Sequence, residues 1–134
     1  MAVFTNPYYY IPMMKILRKK WQNAQVSYRA LYVLLQEGLS FRAHVVTAVV
    51  VVFFSFVFAI SKTELLIVLL VIATVLSIEA LNTAIEEICN HVTPEYHPQI
   101  GKIKDLSSGA SGIIGIAAVI IGLMIFIPRL GLFL

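Results

Sequence analysis

A chain of 134 residues that is 60% hydrophobic and 13% charged, with a mean hydropathy of +0.90, cannot hide its apolar surface in one small soluble core. It reads as a single integral membrane domain. Its net charge of +3 suits anionic headgroups and no nucleic acid partner, because the basic residues gather beside a membrane span and form no separate basic domain.

In chain order, residues 1–12 are aromatic and Pro-interrupted (Pro7-Tyr8-Tyr9-Tyr10-Ile11-Pro12) and read as a mobile terminus. Residues 13–37 mix Ile16, Leu17, Trp21 and Leu31 with Arg18, Lys19, Lys20 and Arg29, the pattern of an amphipathic helix lying in the interface. Gly38 marks a break. Three runs then lack charge, 45–61, 65–78 and 106–128, and each crosses about 30 Å of hydrocarbon once its flanking turns are included. The expected fold is all-α, with spans at about 41–61, 63–90 and 106–128. Lone Cys89 forms no disulfide framework.

Of ten Lys and Arg, six precede the first span and two, Lys102 and Lys104, lie between the second and third. The positive-inside rule therefore puts the N-terminus in the cytoplasm and the C-terminus outside. The second span runs on without a helix breaker as far as Thr93-Pro94. The third opens on Ser107, Ser108, Gly109, Ala110, Ser111 and Gly112, a surface that permits close helix contact, with Asp105 expected as its N-cap.

The second span carries the most informative residues. At 100° per residue, Glu79, Asn82, Glu86 and Asn90 fall within an arc of about 80° on one helix face. A carboxylate at the edge of a hydrocarbon run is costly to hold, which makes Glu79 a functional candidate. Phosphoryl transfer needs a base for the nucleophile, carboxylates for a divalent ion and a cation for the phosphoryl oxygens. Glu79, Glu86, Asn82, Lys104 and Asp105 supply those types from adjacent helices, and Glu37 adds a second metal oxygen. The bland readings are that Glu86 and Glu87 solvate a helix end, that Lys104-Asp105 is a cap with a charge complement, and that His91 and His97 make interfacial hydrogen bonds. Thr93-Pro94-Glu95-Tyr96-His97-Pro98 reads either as a structured turn or as a lid over a nucleotide. Gly101-Lys102 lacks the rest of a P-loop, and neither Asp-Phe-Gly nor His-Arg-Asp occurs.

Glu79-Ala80-Leu81-Asn82-Thr83-Ala84-Ile85-Glu86, Glu95-Tyr96-His97-Pro98 and Lys104-Asp105 together resemble the signature of the prokaryotic diacylglycerol kinase family, which includes the undecaprenol kinases. The resemblance implies a homotrimer of three-span subunits in the bacterial inner membrane, with active sites at subunit contacts. It also implies ATP with Mg²⁺ as donor and a membrane lipid alcohol as acceptor. By position, Glu79 matches the catalytic base, Asn82 its polar neighbour and Glu86 the metal and nucleotide ligand. Glu95, Tyr96 and His97 match a nucleotide-contacting turn, Lys104 and Asp105 the nucleotide pair, Ser108 a lipid-site residue, and Lys19 a cation near the phosphates. Aligned without gaps through Phe41-Arg42, the family's interfacial-helix metal Glu falls on Gly38, with Glu37 one place early. Asn90 stands where an acidic residue is usual. The expected activity is phosphorylation of diacylglycerol, with undecaprenol as the alternative acceptor. A proton or ion pathway through Glu79 and a catalytically silent membrane assembly protein are the rival readings from other classes.

Overall fold

All regular structure in the computed structural model, which describes residues 13–92, 95 and 97–131, is helical: α1 (Met13–Glu37), α2 (Leu39–Val57), α3 (Lys62–Val92) and α4 (Pro98–Leu130). The aromatic terminus and Thr93, Pro94 and Tyr96 of the expected lid turn lie outside the described residues. Helices α2, α3 and α4 are each long and apolar enough to cross a membrane. At a rise of 1.5 Å per residue, the 19 residues of α2 reach about 28 Å, close to the hydrocarbon thickness. The 31 and 33 residues of α3 and α4 overshoot it by about 15–20 Å, and the excess turns carry the polar residues.

Gly38 joins α1 to α2 through an extended backbone, and it is buried. A Cβ there would lie 2.8 Å from the Leu34 carbonyl oxygen and 3.0 Å from the Phe41 Cβ. Only glycine fits without moving the main chain. The position therefore holds no carboxylate, and Glu37 is the acidic side chain at the join. Helix α1 contributes no buried residue.

Between α2 and α3 the chain turns through Ala59 at φ 46, with the Ile60 N–H donating to the Ser55 carbonyl at 3.1 Å and the Ala59 N–H to Phe56 at 3.1 Å. This left-handed turn ends α2 at Val57, short of the expected 61. Ser61 then caps α3 reciprocally: its N–H donates to Glu64 Oε2 at 2.8 Å, and the Glu64 N–H donates to Ser61 Oγ at 3.3 Å. Arg129 near the end of α4 donates to the same Glu64 oxygen at 2.6 Å, tying α3 to α4 at this end of the bundle.

The expected N-cap at Asp105 is corrected. Helix α4 begins at Pro98, whose fixed φ suits a first helical position, and His97 Nδ1 accepts from the Gln99 N–H at 3.3 Å. Asp105 therefore lies inside the helix, exposed.

Helix α3 packs chiefly on α4 and then on α2, and what it buries inverts the soluble pattern. Among the described residues, buried Phe41, Val68, Cys89 and Ile125 are matched by buried Ser55, Glu79, Asn82 and Ser107. Val49, Leu66, Leu70, Ile113 and Met124 meanwhile stand outward. Continuous apolar surface on three long helices, with polar side chains inside, is the arrangement that lipid or further copies of the chain would satisfy.

Candidate active site

The face of α3 that carries Glu79, Asn82, Glu86 and Asn90 is turned toward α4. Glu79 is 4% exposed and Asn82 8%. Across the helix pair, Ser107 Oγ donates to Asn82 Oδ1 at 2.6 Å, and the same hydroxyl lies 3.0 Å from the Lys104 carbonyl oxygen. Asn82 Nδ2 in turn donates to Glu86 Oε1 at 3.2 Å. The two partners have opposite polarity, so they fix which end of the amide points where. Asn82 is thus a strut between Ser107 and Glu86, holding one oxygen of a half-buried carboxylate.

One turn further along α3, Asn90 Oδ1 accepts from Lys104 Nζ at 2.7 Å. Lys104 is half-buried and its partner is neutral, so the ammonium is positioned without being neutralised. The ion pair among the described residues, Glu64 with Arg129, sits at the opposite end of the bundle.

Glu79 differs from its neighbours. Its main-chain carbonyl accepts from Thr83 Oγ1 at 3.0 Å, but no described residue donates to its carboxylate. Among the described residues the Glu79 carboxylate therefore keeps its acceptor capacity unused.

The other sequence candidates stand apart from this cluster. Lys19 on α1, Glu37 at its end, Glu95, Asp105 and Ser108 are exposed, while His97 spends its side chain capping α4. Tyr96 lies outside the described residues. Ser107, 100° around the helix from Ser108, is the hydroxyl that meets α3. Its signal in the sequence was its place three residues after Lys104, on the same helix face.

No three His, Cys, Asp or Glu side chains converge among the described residues. Glu86 fits a looser requirement. Its second oxygen accepts no hydrogen bond from the described residues, and magnesium takes one or two protein carboxylates and completes its shell with phosphates and water.

Ser107→Ala tests the strut. It strips the buried Asn82 carbonyl of its donor, which costs about 1–3 kcal/mol. Thermal unfolding in detergent, followed by circular dichroism, is expected to show a midpoint lower by several degrees, and an unchanged midpoint would mean the bond carries no load.

An apolar cleft of about 580 Å³ opens among α2, α3 and α4, lined by Val51, Ile72, Val75, Gly115 and Phe126 among others. It begins one helical turn from the polar stripe and runs toward the Glu64–Arg129 end.

Comparison with known proteins identifies the family. Residues 25–126 match the family model described as prokaryotic diacylglycerol kinase. The chain is also 36% identical over 91 residues to an undecaprenol kinase of Bacillus subtilis (strain 168), covering 68% of this chain and 74% of that protein.

Proposed function

Because the chain belongs to the prokaryotic diacylglycerol kinase family and is a lipid kinase, we propose that it transfers the γ-phosphoryl group of ATP to the hydroxyl of a membrane lipid alcohol at the α3–α4 polar stripe. The observation that carries this reading is the junction of two opposite chemistries on one helix pair. Glu79, whose carboxylate no described residue donates to, shares the α3–α4 face with Lys104, whose ammonium Asn90 holds about three turns further along α3.

In this reading Glu79 accepts the proton of the lipid hydroxyl. The lipid oxygen bonds to the γ-phosphorus as the bond from that phosphorus to the β-bridging oxygen breaks, and ADP leaves with its electron pair. Lys104 stabilises the charge that spreads over the transferring phosphoryl oxygens. Glu86, with Glu37, would hold Mg²⁺, which when bound offsets the charge of the β- and γ-phosphates. Lys19, Glu95, Tyr96, His97 and Asp105 are assigned to the nucleotide and Ser108 to the lipid, with the exposed members brought to the site across a subunit contact of a homotrimer. The membrane holds the acceptor at headgroup depth, so proximity supplies much of the rate. With the N-terminus in the cytoplasm of the bacterial inner membrane, the stripe faces the compartment that holds ATP.

The likeness to an undecaprenol kinase moves the proposed acceptor from diacylglycerol toward the polyprenol. The family description favours diacylglycerol as the second reading. Turnover of both alcohols, side by side in mixed micelles with Mg-ATP, decides between them. A higher kcat/KM for undecaprenol is expected, and failure to phosphorylate either alcohol would overturn the proposed function.

A further inference from the structure

Ser111 belongs to no part of the chemistry described so far. Its Oγ is shut off from solvent and finds no hydrogen-bond partner among the described residues. Serine hydroxyls of these helices bond the carbonyl four residues back, as buried Ser55 does to Val51 at 2.8 Å and exposed Ser77 to Ala73 at 2.7 Å. Ser111 forgoes that bond, leaving a donor that costs about 1–3 kcal/mol to bury unmet.

Its location gives the omission a use. Lys104, Ser107 and Ser111 fall within an arc of about 60° on α4, so Ser111 shares the face that meets α3. The Ser107–Asn82 bond fixes the antiparallel register. Three residues back from Asn82 is Glu79, and four residues on from Ser107 is Ser111, which puts the two at the same level to within about 2 Å of rise. The described residues thus hold, at one level of one helix interface, the Glu79 carboxylate, to which none of them donates, and the shut-off Ser111 hydroxyl, which finds no acceptor.

One turn further in the same direction lie Val75 on α3 and Gly115 on α4, both lining the apolar cleft of about 580 Å³. A Cβ added at Gly115 would meet nothing within 4 Å, so the cleft is open at the end that adjoins the polar pair. A small polar slot that opens into a long apolar cleft matches the outline of a long-chain primary alcohol.

We propose that Ser111 and Glu79 form the binding slot for the acceptor hydroxyl, with the alcohol's hydrocarbon chain lying in the α2–α3–α4 cleft. Ser111 Oγ donates to the acceptor oxygen while that hydroxyl donates to Glu79, so one ligand group satisfies both orphans. The donated bond also aims an oxygen lone pair at the phosphoryl donor. This rests on the lipid-kinase reading for its catalytic consequence, but the binding claim stands separately.

Two measurements test it. In mixed micelles with Mg-ATP, Ser111→Ala is expected to lower kcat/KM for the lipid alcohol about tenfold, with KM for ATP unchanged. Ser111→Thr, which keeps the hydroxyl, should restore most of that loss. A purely structural serine predicts the reverse: deleting an unmet buried hydroxyl raises the unfolding midpoint and leaves turnover alone, and that pattern overturns the proposal. The second measurement is independent of turnover. A diazirine-bearing long-chain primary alcohol should photolabel Val75, Leu76 and Gly115, with labelling reduced several-fold by Ser111→Ala and in the matched probe that lacks the hydroxyl. Equal labelling in all three cases overturns it. Labelling that depends on Ser111 without any phosphoryl transfer would sustain the slot and remove the kinase reading.

Discussion

Glu79→Gln is expected to lower ATP-dependent phosphorylation of the lipid alcohol by about 10²–10⁴-fold, the range that a positioned general base contributes. The substitution is nearly isosteric and keeps a polar group in a slot that is 4% exposed, so packing of α3 on α4 should survive. What it removes is the proposed proton acceptor, because the glutamine amide cannot take the hydroxyl proton at neutral pH. Transfer of labelled phosphate from ATP in mixed micelles gives the rate, and thermal unfolding of the same samples shows whether the fold is retained. Unfolding should be unchanged or slightly later, since a neutral amide tolerates burial better than a carboxylate. Turnover within a few-fold of the unsubstituted protein would remove Glu79 from the proton-transfer step. The same variant separates the rival of an ion pathway, in which a vesicle flux independent of ATP would be lost and lipid phosphorylation would never have been present.

Much of this arrangement is visible before any coordinates, for reasons that differ element by element. Uncharged runs of membrane length identify α2, α3 and α4 because hydrocarbon forbids unmet charge, and helical periodicity places Glu79, Asn82, Glu86 and Asn90 on one face. Helix ends were less legible. Asp105 has a capping residue's chemistry, yet the helix starts at Pro98, because a proline with a capping histidine before it is an equally good start and no apolar run marks the difference. Composition also cannot say which of several small residues on α4 faces its neighbour. The resemblance assigns Ser108 to the lipid, whereas Ser107 makes the interhelical bond, and a rotation of 100° separates them. Asn90 reads in sequence as a lost charge. In the fold it accepts from Lys104, a role that only the distance between two helices discloses.

That pairing sets up the second large effect: Lys104→Met is expected to lower kcat by about 10²–10³-fold, the loss seen when one group aimed at developing transition-state charge is removed. Methionine keeps the length and most of the apolar stem of the half-buried lysine, so α4 should hold its place. The lost group is the ammonium that Asn90 holds at 2.7 Å. Because Asn90 is neutral, the positive charge stays available to the proposed nucleotide phosphates; a carboxylate in that place would form a competing pair worth up to about 1 kcal/mol at a partly exposed site. Lys104→Arg then becomes the informative companion. It preserves the charge but spreads it over a planar fork that meets Asn90 with a different reach and geometry, so it should recover nucleotide affinity more than kcat. Steady-state kinetics at saturating lipid, with ATP varied, separates the two parameters. Equal recovery of kcat and KM in the arginine variant would mean that charge alone matters and that the Asn90 bond does not aim it.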